Sequence, residues 1–258
     1  MTMDRHESRR RPADSAASKK PRQLTPSRLQ RLLAASEVLE RDAHGVKVAR
    51  LPSGVYLKLF RRKRLLSSAA WRPYAQRFVS NADGLARRAV PTVRVRAYFD
   101  CPQPRRHVVA YAPLGGDVLR DRVRDATVVD WPGLARFVAR LHAQGVYFRS
   151  LHSGNVVWIP GGDLGLIDIA DLQLRRRPLG VTRRVRNLRP LLRDPSLKVL
   201  REAAPFREFI DAYCGAAGLR PVREALLRRL ARWQWVRCGG QGTGASASSS
   251  PGSATGNR

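Results

Sequence analysis

The chain has 258 residues, with 49 Lys and Arg against 20 Asp and Glu, and its formal net charge is +29. Because 43% of the residues are hydrophobic, the composition excludes a globally disordered chain, which would combine high charge with low hydrophobicity. The charge also excludes an enzyme whose surface is indifferent to anions, and it predicts a polyanionic partner.

The two ends of the chain differ in composition from its body. Residues 1–26 are rich in Arg, Ser, Ala and Pro without a helical or strand period, which predicts a flexible basic arm. Residues 239–258 predict a Gly- and Ser-rich flexible tail. The N-terminus lacks the apolar stretch of a signal peptide, and no run approaches the ~20 apolar residues of a membrane span. We therefore expect a cytoplasmic protein, with peripheral contact to the inner membrane left open.

Short strands dominate the first half of the folded region. Three segments separated by tight turns predict a β-meander: SEVLE, VKVARL and VYLKLF. A helix is predicted over residues 71–88, because Tyr74, Phe78 and Leu85 recur at helical spacing. Two further strands are predicted over residues 90–99 and 107–114.

Helices dominate the second half. Residues 116–125 and 130–145 predict helices, the second beginning at Asp130 with Pro132 in its first turn. A polar loop, FRSLHSGN, then leads to the strand VVWI, a turn and the strand LGLIDI, and the pattern from residue 183 to 237 is helical. The predicted fold class is α+β, with a small N-terminal antiparallel β lobe over residues 27–112 and a mostly helical C-terminal lobe over residues 113–238.

Three separated residues carry the candidate chemistry. Lys58 lies inside a predicted strand, where an ammonium is costly unless it faces a cleft or an anion. Asn155 ends the polar loop, and Asp168 follows the apolar run LGLI. Because a strand, a turn and a strand separate them, Asn155 and Asp168 can meet and offer hard oxygen ligands to Mg²⁺. The alternatives are an edge-strand lysine that points to water and an aspartate that caps a strand.

The order of these segments resembles the protein-kinase-like fold. VYLKLF resembles the strand that carries the phosphate-binding lysine, FRSLHSGN the catalytic loop, and LIDIAD the metal-binding segment. Together with YLKLFRRKRLLSSAAWRPYAQRF, they are similar to the small bacterial lipopolysaccharide core kinases, also labelled toluene tolerance proteins. The resemblance covers residues 35–200.

This resemblance implies a role for each matching residue. Lys58 would bind the phosphates of ATP, and Asn155 and Asp168 would hold Mg²⁺. The backbone of the inter-lobe hinge at Tyr111, Ala112 and Pro113 would meet the adenine. The acceptor would be an anionic glycolipid, the lipopolysaccharide core.

The chain departs from the family pattern at three places, one of which is the first hairpin, ERDAHGVK, with one glycine, Gly45, where a protein kinase has GxGxxG. Ser150 stands where the family has its catalytic aspartate, and a neutral hydroxyl cannot accept a proton as a carboxylate does. His152 and Asp171 are the nearby titratable groups that could replace it. There is also no Glu between Glu40 and Glu202 to pair with Lys58, and Asn81 or Asp83 are the candidates to replace it.

Basic runs remain at RRKR (61–64), RRR (175–177) and RRVRNLR (183–189). They predict either a solvated cationic surface or a platform for a phosphate-bearing acceptor and an anionic membrane leaflet, and charge alone would attract RNA equally well. Trp233 and Trp235 are interpreted as packing residues, because they share a helix with Leu226, Leu227 and Leu230.

Three functions follow from these observations. The first is an ATP- and Mg²⁺-dependent phosphotransferase acting on a sugar hydroxyl of the lipopolysaccharide core. The second is a catalytically impaired pseudokinase that binds nucleotide or a partner. The third is a basic RNA-binding or membrane-surface-binding protein that keeps the fold as a scaffold.

Overall fold

The computed structural model describes residues 20–61 and 73–237. By its contacts the described chain divides into two compact units. The first comprises the residues up to Asp117 together with Asn155–Leu174. The second comprises Val118–Gly154 and the residues from Arg175 onward.

The elements of the first half are mostly strands. They are β1 (Arg22–Gln23), α1 (Pro26–Ala34), β2 (Glu37–Asp42), β3 (Gly45–Arg50), β4 (Tyr56–Arg61), α2 (Tyr74–Ala86), β5 (Arg94–Cys101), β6 (Arg106–Ala112) and β7 (Asp117–Val118).

The elements of the second half are mostly helices. They are α3 (Leu119–Arg124), α4 (Trp131–Ala143), β8 (Val146–Phe148), β9 (Val156–Trp158), β10 (Leu164–Leu166), β11 (Leu172–Leu174), α5 (Val181–Arg193), α6 (Ala203–Ala217) and α7 (Pro221–Arg237). Short 3₁₀ turns occupy Ser153–Asn155, Ile169–Asp171 and Pro195–Arg201.

A six-stranded sheet forms the body of the first unit, in the order β1-β5-β6-β4-β3-β2. All its strand pairs are antiparallel except β1 with β5. The meander β2-β3-β4 is as predicted from its turns. Strand β4 is an interior strand, in which Lys58 lies between Val48 of β3 and Val109 of β6.

The two faces of β4 are covered by different helices, because successive side chains of a strand point to opposite faces. Leu57 and Leu59 pack into a core with Leu29 of α1. The alternate residues lie on the other face, where the ring of Phe60 contacts that of Phe78 of α2 at 5.9 Å between centroids. Lys58 therefore lies on the α2 face of the sheet.

The structure corrects the prediction that residues 1–26 form a flexible arm. Residues 1–19 lie outside the described part, but Arg22 and Gln23 pair in parallel with Phe99 and Asp100 of β5. Leu24 is buried in the core beneath α1. The two-residue strand was missed because its own sequence has no strand period and β5 supplies the pairing.

The hairpin of β9 and β10 groups with the sheet, although the predicted boundary after residue 112 assigned it to the helical lobe. The reason is that α2 packs against the 3₁₀ turn Ile169–Asp171 and against β11, both of which follow the hairpin. Thr92 adds an isolated parallel bridge to Leu166 of β10. Helix α2 is thus the element that connects the hairpin to the sheet.

Helices form the core of the second unit, with α4 packed against α6 and α5 against α7. The predicted helix at 130–145 is observed as α4, and Asp130 caps it by accepting a hydrogen bond from Gly133 N at 2.7 Å. The predicted α+β class is confirmed, with its antiparallel sheet in the N-terminal part and its helices in the C-terminal part. Among the described residues, no helix is both long and apolar enough to cross a bilayer.

Candidate functional site

Lys58 is a partly buried cation on an interior strand. Its side chain is 17% exposed, and its Nζ lies 5.8 Å from the centroid of Phe78 and 5.9 Å from that of Phe60. The rings shield the ammonium on the α2 side, and a desolvated ammonium requires an anionic partner. The alternative of an edge-strand lysine facing water does not hold, because β4 is paired on both sides.

That partner is Asp168. Its Oδ1 accepts a hydrogen bond from Lys58 Nζ at 2.5 Å, across 110 positions of sequence. Asp168 remains 53% exposed, so its carboxylate is accessible to solvent as well as to the lysine. Its backbone is left-handed, with φ 50° and ψ 45°, a conformation that few residues other than Gly adopt and for which Asp is enriched. Such strain is often found at functional positions.

Asn155 and Asp168 are brought to the same end of the β9–β10 hairpin. Val156 pairs with Leu166, and beyond that pair Ile167 N donates to Asn155 O at 3.0 Å. Asn155 is buried, and it immediately precedes β9 as Asp168 closely follows β10. The structure therefore places the two predicted metal ligands at adjacent chain ends, as the strand, turn and strand between them suggested.

Asn81 of α2 holds the segment that carries Asp168. Its Nδ2 donates to Ile169 O at 2.7 Å and to Leu172 O at 2.9 Å. These two bonds bracket the 3₁₀ turn that follows Asp168. Asn81 was considered as a replacement for the missing glutamate that would contact Lys58; in the structure its amide donor group binds backbone carbonyls, and the described charged partner of Lys58 is Asp168.

Asp83, the other candidate partner of Lys58, also has a different contact. Its carboxylate pairs with Arg87 one helical turn along α2, at 2.5 Å. Lys58 is instead paired from the hairpin by Asp168. The described ion pair of Lys58 is thus with Asp168 and not with a residue of α2.

The predicted hinge residues lie where β6 ends. Tyr111 is buried, with ring centroids 5.7 Å from Tyr56 and 5.5 Å from Phe78. Burial, and to a lesser degree the charge of Asp168, raises the pKa of Tyr111, so its phenol stays protonated. Ala112 ends β6 and Pro113 is exposed. The Tyr111 ring thus belongs to the packing between sheet and α2, and the backbone that follows it leaves the sheet at a proline.

Metal ligation in the first unit would rest on few side chains. In residues 20–61 and 73–237, no three His, Cys, Asp or Glu side chains cluster as metal ligands. Asp168 and Asn155 supply carboxylate and amide oxygens, which are hard ligands. Mg²⁺ takes only one or two carboxylates from a protein and completes its octahedron with phosphate oxygens and water. This pair therefore fits Mg²⁺ held together with a nucleotide.

The loop that carries Ser150 and His152 belongs to the second unit. His152 N donates to Ser150 O at 2.9 Å, and the Nδ1 of His152 accepts from Gly154 N at 3.2 Å. One ring nitrogen of His152 is thus engaged within its own loop. Asp171, the other candidate base, ends the 3₁₀ turn of the first unit.

Asp194 anchors the same loop and was missed from the sequence. Its Oδ2 accepts from Ser153 N at 2.7 Å and its Oδ1 from Ser196 N at 2.9 Å. Burial opposes its ionisation, but the hydrogen bonds from Ser153 and Ser196 outweigh burial and hold the pKa of Asp194 below its usual value. The sequence offered one signal, an aspartate directly before a proline at a helix start, which predicts only a local cap.

A buried polar chain supports the start of the loop. Asn187 of α5 donates to Phe148 O and accepts from Phe148 N at 3.2 Å. Its Oδ1 also lies 3.1 Å from Nε2 of His142, whose Nδ1 lies 2.6 Å from the hydroxyl of Tyr213. Arg184 donates to that hydroxyl at 3.1 Å. Helices α4, α5 and α6 thereby fix the backbone that enters residues 149–154.

Only some of the residues in the three basic runs are exposed on the surface that the structure describes. Arg61 is exposed, but residues 62–64 of RRKR lie outside the described part. Arg184 is buried, donating to Leu179 O at 2.7 Å, so it cannot belong to an acceptor platform. The exposed arginines of the other two runs are Arg176, Arg177, Arg183, Arg186 and Arg189.

No family model and no curated protein matches the chain. Among solved structures, the bifunctional kinase-methyltransferase WbdD is similar with a TM-score of 0.44 and 14% identity, over 72% of this chain and 42% of that one. A second WbdD structure gives 0.45 and 14%, over 72% and 44%.

A divergent kinase that lacks the glycine-rich loop and regulates membrane ultrastructure of the Toxoplasma parasitophorous vacuole gives a TM-score of 0.38 and 18% identity, over 73% of this chain and 63% of that one. The chain thus spans less than half of WbdD and under two thirds of the Toxoplasma kinase.

Proposed function

We propose that the chain is a protein-kinase-like phosphotransferase that transfers a phosphoryl group from ATP to a sugar hydroxyl of the lipopolysaccharide core. One observation carries this proposal: Lys58 of the sheet and Asp168 after the hairpin meet at 2.5 Å from positions 110 residues apart. They are the two residues to which the motif order assigns the phosphate contact and the metal contact.

Each residue has a role that its position supports. Lys58 presents an ammonium on a rigid interior strand, where it would bind nucleotide phosphates. Asp168 and Asn155 present oxygens at one end of the hairpin, where they would hold Mg²⁺, and Mg²⁺ would neutralise phosphate charge. Phosphoryl transfer depends on positioning and charge neutralisation because its transition state is loose. The backbone from Tyr111 to Pro113 would meet the adenine.

The acceptor class is proposed from charge and from the motif resemblance. A net charge of +29 favours an acceptor that already carries phosphates, and the lipopolysaccharide core is such a glycolipid. It would be met at the cytoplasmic face of the inner membrane. Of the three basic runs, the exposed arginines that the structure describes are Arg61, Arg176, Arg177 and, on α5, Arg183, Arg186 and Arg189.

A pseudokinase is the second candidate, and Ser150 favours it. Loss of a general base typically costs ~10²–10⁴-fold in rate. The local bond between Gly154 N and Nδ1 of His152 gives that imidazole a structural task in the loop. A chain of this kind would bind Mg²⁺ and ATP and transfer nothing.

Phosphoryl transfer to purified core oligosaccharide tests the first candidate. We expect incorporation of the γ-phosphate by the native chain and its loss in Asp168→Asn. The matched control is Asp163→Asn, since Asp163 is an exposed carboxylate in the turn of the same hairpin. Equal activity in the two variants would contradict the proposed role of Asp168.

Restoring the acid at position 150 separates the two candidates. If the site is a handicapped kinase, Ser150→Asp should raise the transfer rate by at least about tenfold. Binding of Mg²⁺ and ATP without transfer by either form would establish the pseudokinase. RNA binding that weakens as the salt concentration rises, and that does not change when nucleotide is added, would instead favour the basic RNA-binding or membrane-surface-binding protein.

A further inference from the structure

Helix α7 of the second unit has two different apolar faces. Leu227, Ala231 and Trp235 are buried, and Trp235 stacks on Phe206 at 4.9 Å and donates from Nε1 to Leu200 O at 2.9 Å. This inner face fixes the helix to the unit. Trp235 is thus a packing residue, as predicted.

The outer face carries large apolar side chains in water. Val222, Leu226, Trp233 and Val236 are 82%, 48%, 55% and 56% exposed. Their spacings of four, seven and three residues place them along one side of the helix. The interpretation of Trp233 as a packing residue is therefore wrong: it shares the helix with Trp235 but lies on the opposite side.

Arginines surround this stripe without an acidic residue among them. Arg229 lies within it, and Arg223, Arg232 and Arg237 flank it, all four exposed. Arg237 lies 4.6 Å over the ring of Trp233. The one acid of α7, Glu224, lies toward the inner side, where it pairs with Arg228 at 2.9 Å. The outer face is therefore cationic and apolar together.

We propose that this outer face of α7 docks on an anionic lipid surface. An apolar stripe with Trp, flanked by Arg and free of acids, matches the two attractions that hold a helix in the interface plane: burial of apolar area and attraction to anionic headgroups. A Trp side chain is favourable at the boundary between headgroups and acyl chains because its ring is amphipathic. The proposal locates the membrane contact expected from charge, and it does not depend on phosphotransfer.

Vesicle co-sedimentation of the full chain tests the docking face. The probes are vesicles of phosphatidylcholine alone and vesicles with about one third phosphatidylglycerol. Binding should require the anionic lipid, weaken with salt and fall at least about tenfold in the double variant Leu226→Ser, Trp233→Ser. The matched control is Val128→Ser, because Val128 is an exposed apolar residue of the same unit outside α7.

The charge contribution has its own pair of variants. Arg229→Gln with Arg232→Gln should lower binding by roughly 30-fold at low salt. Arg136→Gln with Arg140→Gln removes two exposed arginines from α4 of the same unit and should have a much smaller effect. Equal losses in the two double variants would show attraction by net charge alone and would overturn the proposal.

Fluorescence identifies the inserted side chain. The emission of Trp233 should shift to the blue on anionic vesicles, and the shift should vanish in Trp233→Phe. Three results would overturn the proposal. The first is equal binding to anionic and neutral vesicles, and the second is a native chain that self-associates but becomes monomeric in the double variant of Leu226→Ser with Trp233→Ser. The third is RNA binding that the double variant of Arg229→Gln with Arg232→Gln abolishes while its vesicle binding is unchanged.

Discussion

Asn81 of α2 donates a hydrogen bond from Nδ2 to the carbonyl oxygen of Ile169 at 2.7 Å, across 88 positions of sequence. The same nitrogen donates to Leu172 O at 2.9 Å. One buried amide thus holds both ends of the turn that follows Asp168. The left-handed backbone of Asp168 needs such support, because a conformation of this kind persists only where its surroundings enforce it.

Replacing Asn81 should loosen the Asp168 segment. In Asn81→Ala two buried carbonyls lose their donor, which should lower the free energy of unfolding by about 1–3 kcal/mol. The Mg²⁺-dependent part of the affinity for ATP should also fall, measured well below the unfolding temperature. Asp83→Asn is the control on the same helix, since it weakens the i,i+4 ion pair with Arg87, which is of modest value. Unchanged Mg²⁺ dependence in Asn81→Ala would show that the amide is structural only.

His142 predicts a pH dependence of stability. Burial, and then the charge of Arg184, lowers the pKa of His142 to about 3. Since an unfolded histidine titrates near pH 6.5, the unfolded chain binds more protons below that pH. The contribution to stability is full above about pH 6.5 and is lost as the pH falls toward 3, at a slope that approaches about 1.4 kcal/mol per pH unit.

Urea unfolding between pH 7 and pH 5 measures that slope. It should be reduced in His142→Gln and unchanged in His44→Gln, because His44 is exposed on the turn between β2 and β3. The same slope in the native chain and in His142→Gln would contradict the neutral, buried imidazole.

Gly165 of β10 has no room for a side chain. A Cβ there would lie 2.7 Å from Pro91 O and 2.5 Å from Leu114 Cδ2. Gly165→Ala should therefore lower the free energy of unfolding by about 1–3 kcal/mol, because the backbone oxygen cannot yield cheaply. In α6, a Cβ on Gly215 would meet nothing within 4 Å. Gly215→Ala should stabilise the chain by up to about 1 kcal/mol. Thermal unfolding compares the two, and equal melting temperatures would contradict the close approach at Gly165.

Local patterns predicted the elements that contain the candidate site. The alternation in VYLKLF places Lys58 on the opposite face of β4 from Leu57 and Leu59. The helix that begins after Asp130 was evident from its cap and from Pro132 in its first turn. The short distance between Asn155 and the segment of Asp168 followed from the strand, turn and strand between them. These features depend on residues close in sequence.

Features set by distant partners could not be predicted. The hydrogen bonds of Asn81 reach residues that are 88 and 91 positions away in the chain. The sequence around Asn81 therefore showed only a polar residue within an apolar helical pattern. Arg184 is buried within a run of arginines because Tyr213 and Leu179 accept from it. Trp233 and Trp235 differ in exposure because the unit contacts only one side of α7.

Calorimetric binding of ATP with and without Mg²⁺ tests the proposed site most directly. Lys58→Met and Asp168→Asn should each weaken Mg²⁺-dependent binding at least about tenfold, since each removes a charged group assigned to the phosphates or the metal. Lys198→Met and Asp163→Asn are the matched controls, because Lys198 is an exposed lysine of the 3₁₀ turn Pro195–Arg201 and Asp163 lies in the hairpin turn. Both controls should bind as the native chain does. Nucleotide binding that is absent in the native chain, or that survives in Lys58→Met and Asp168→Asn, would contradict a nucleotide site at Lys58 and Asp168.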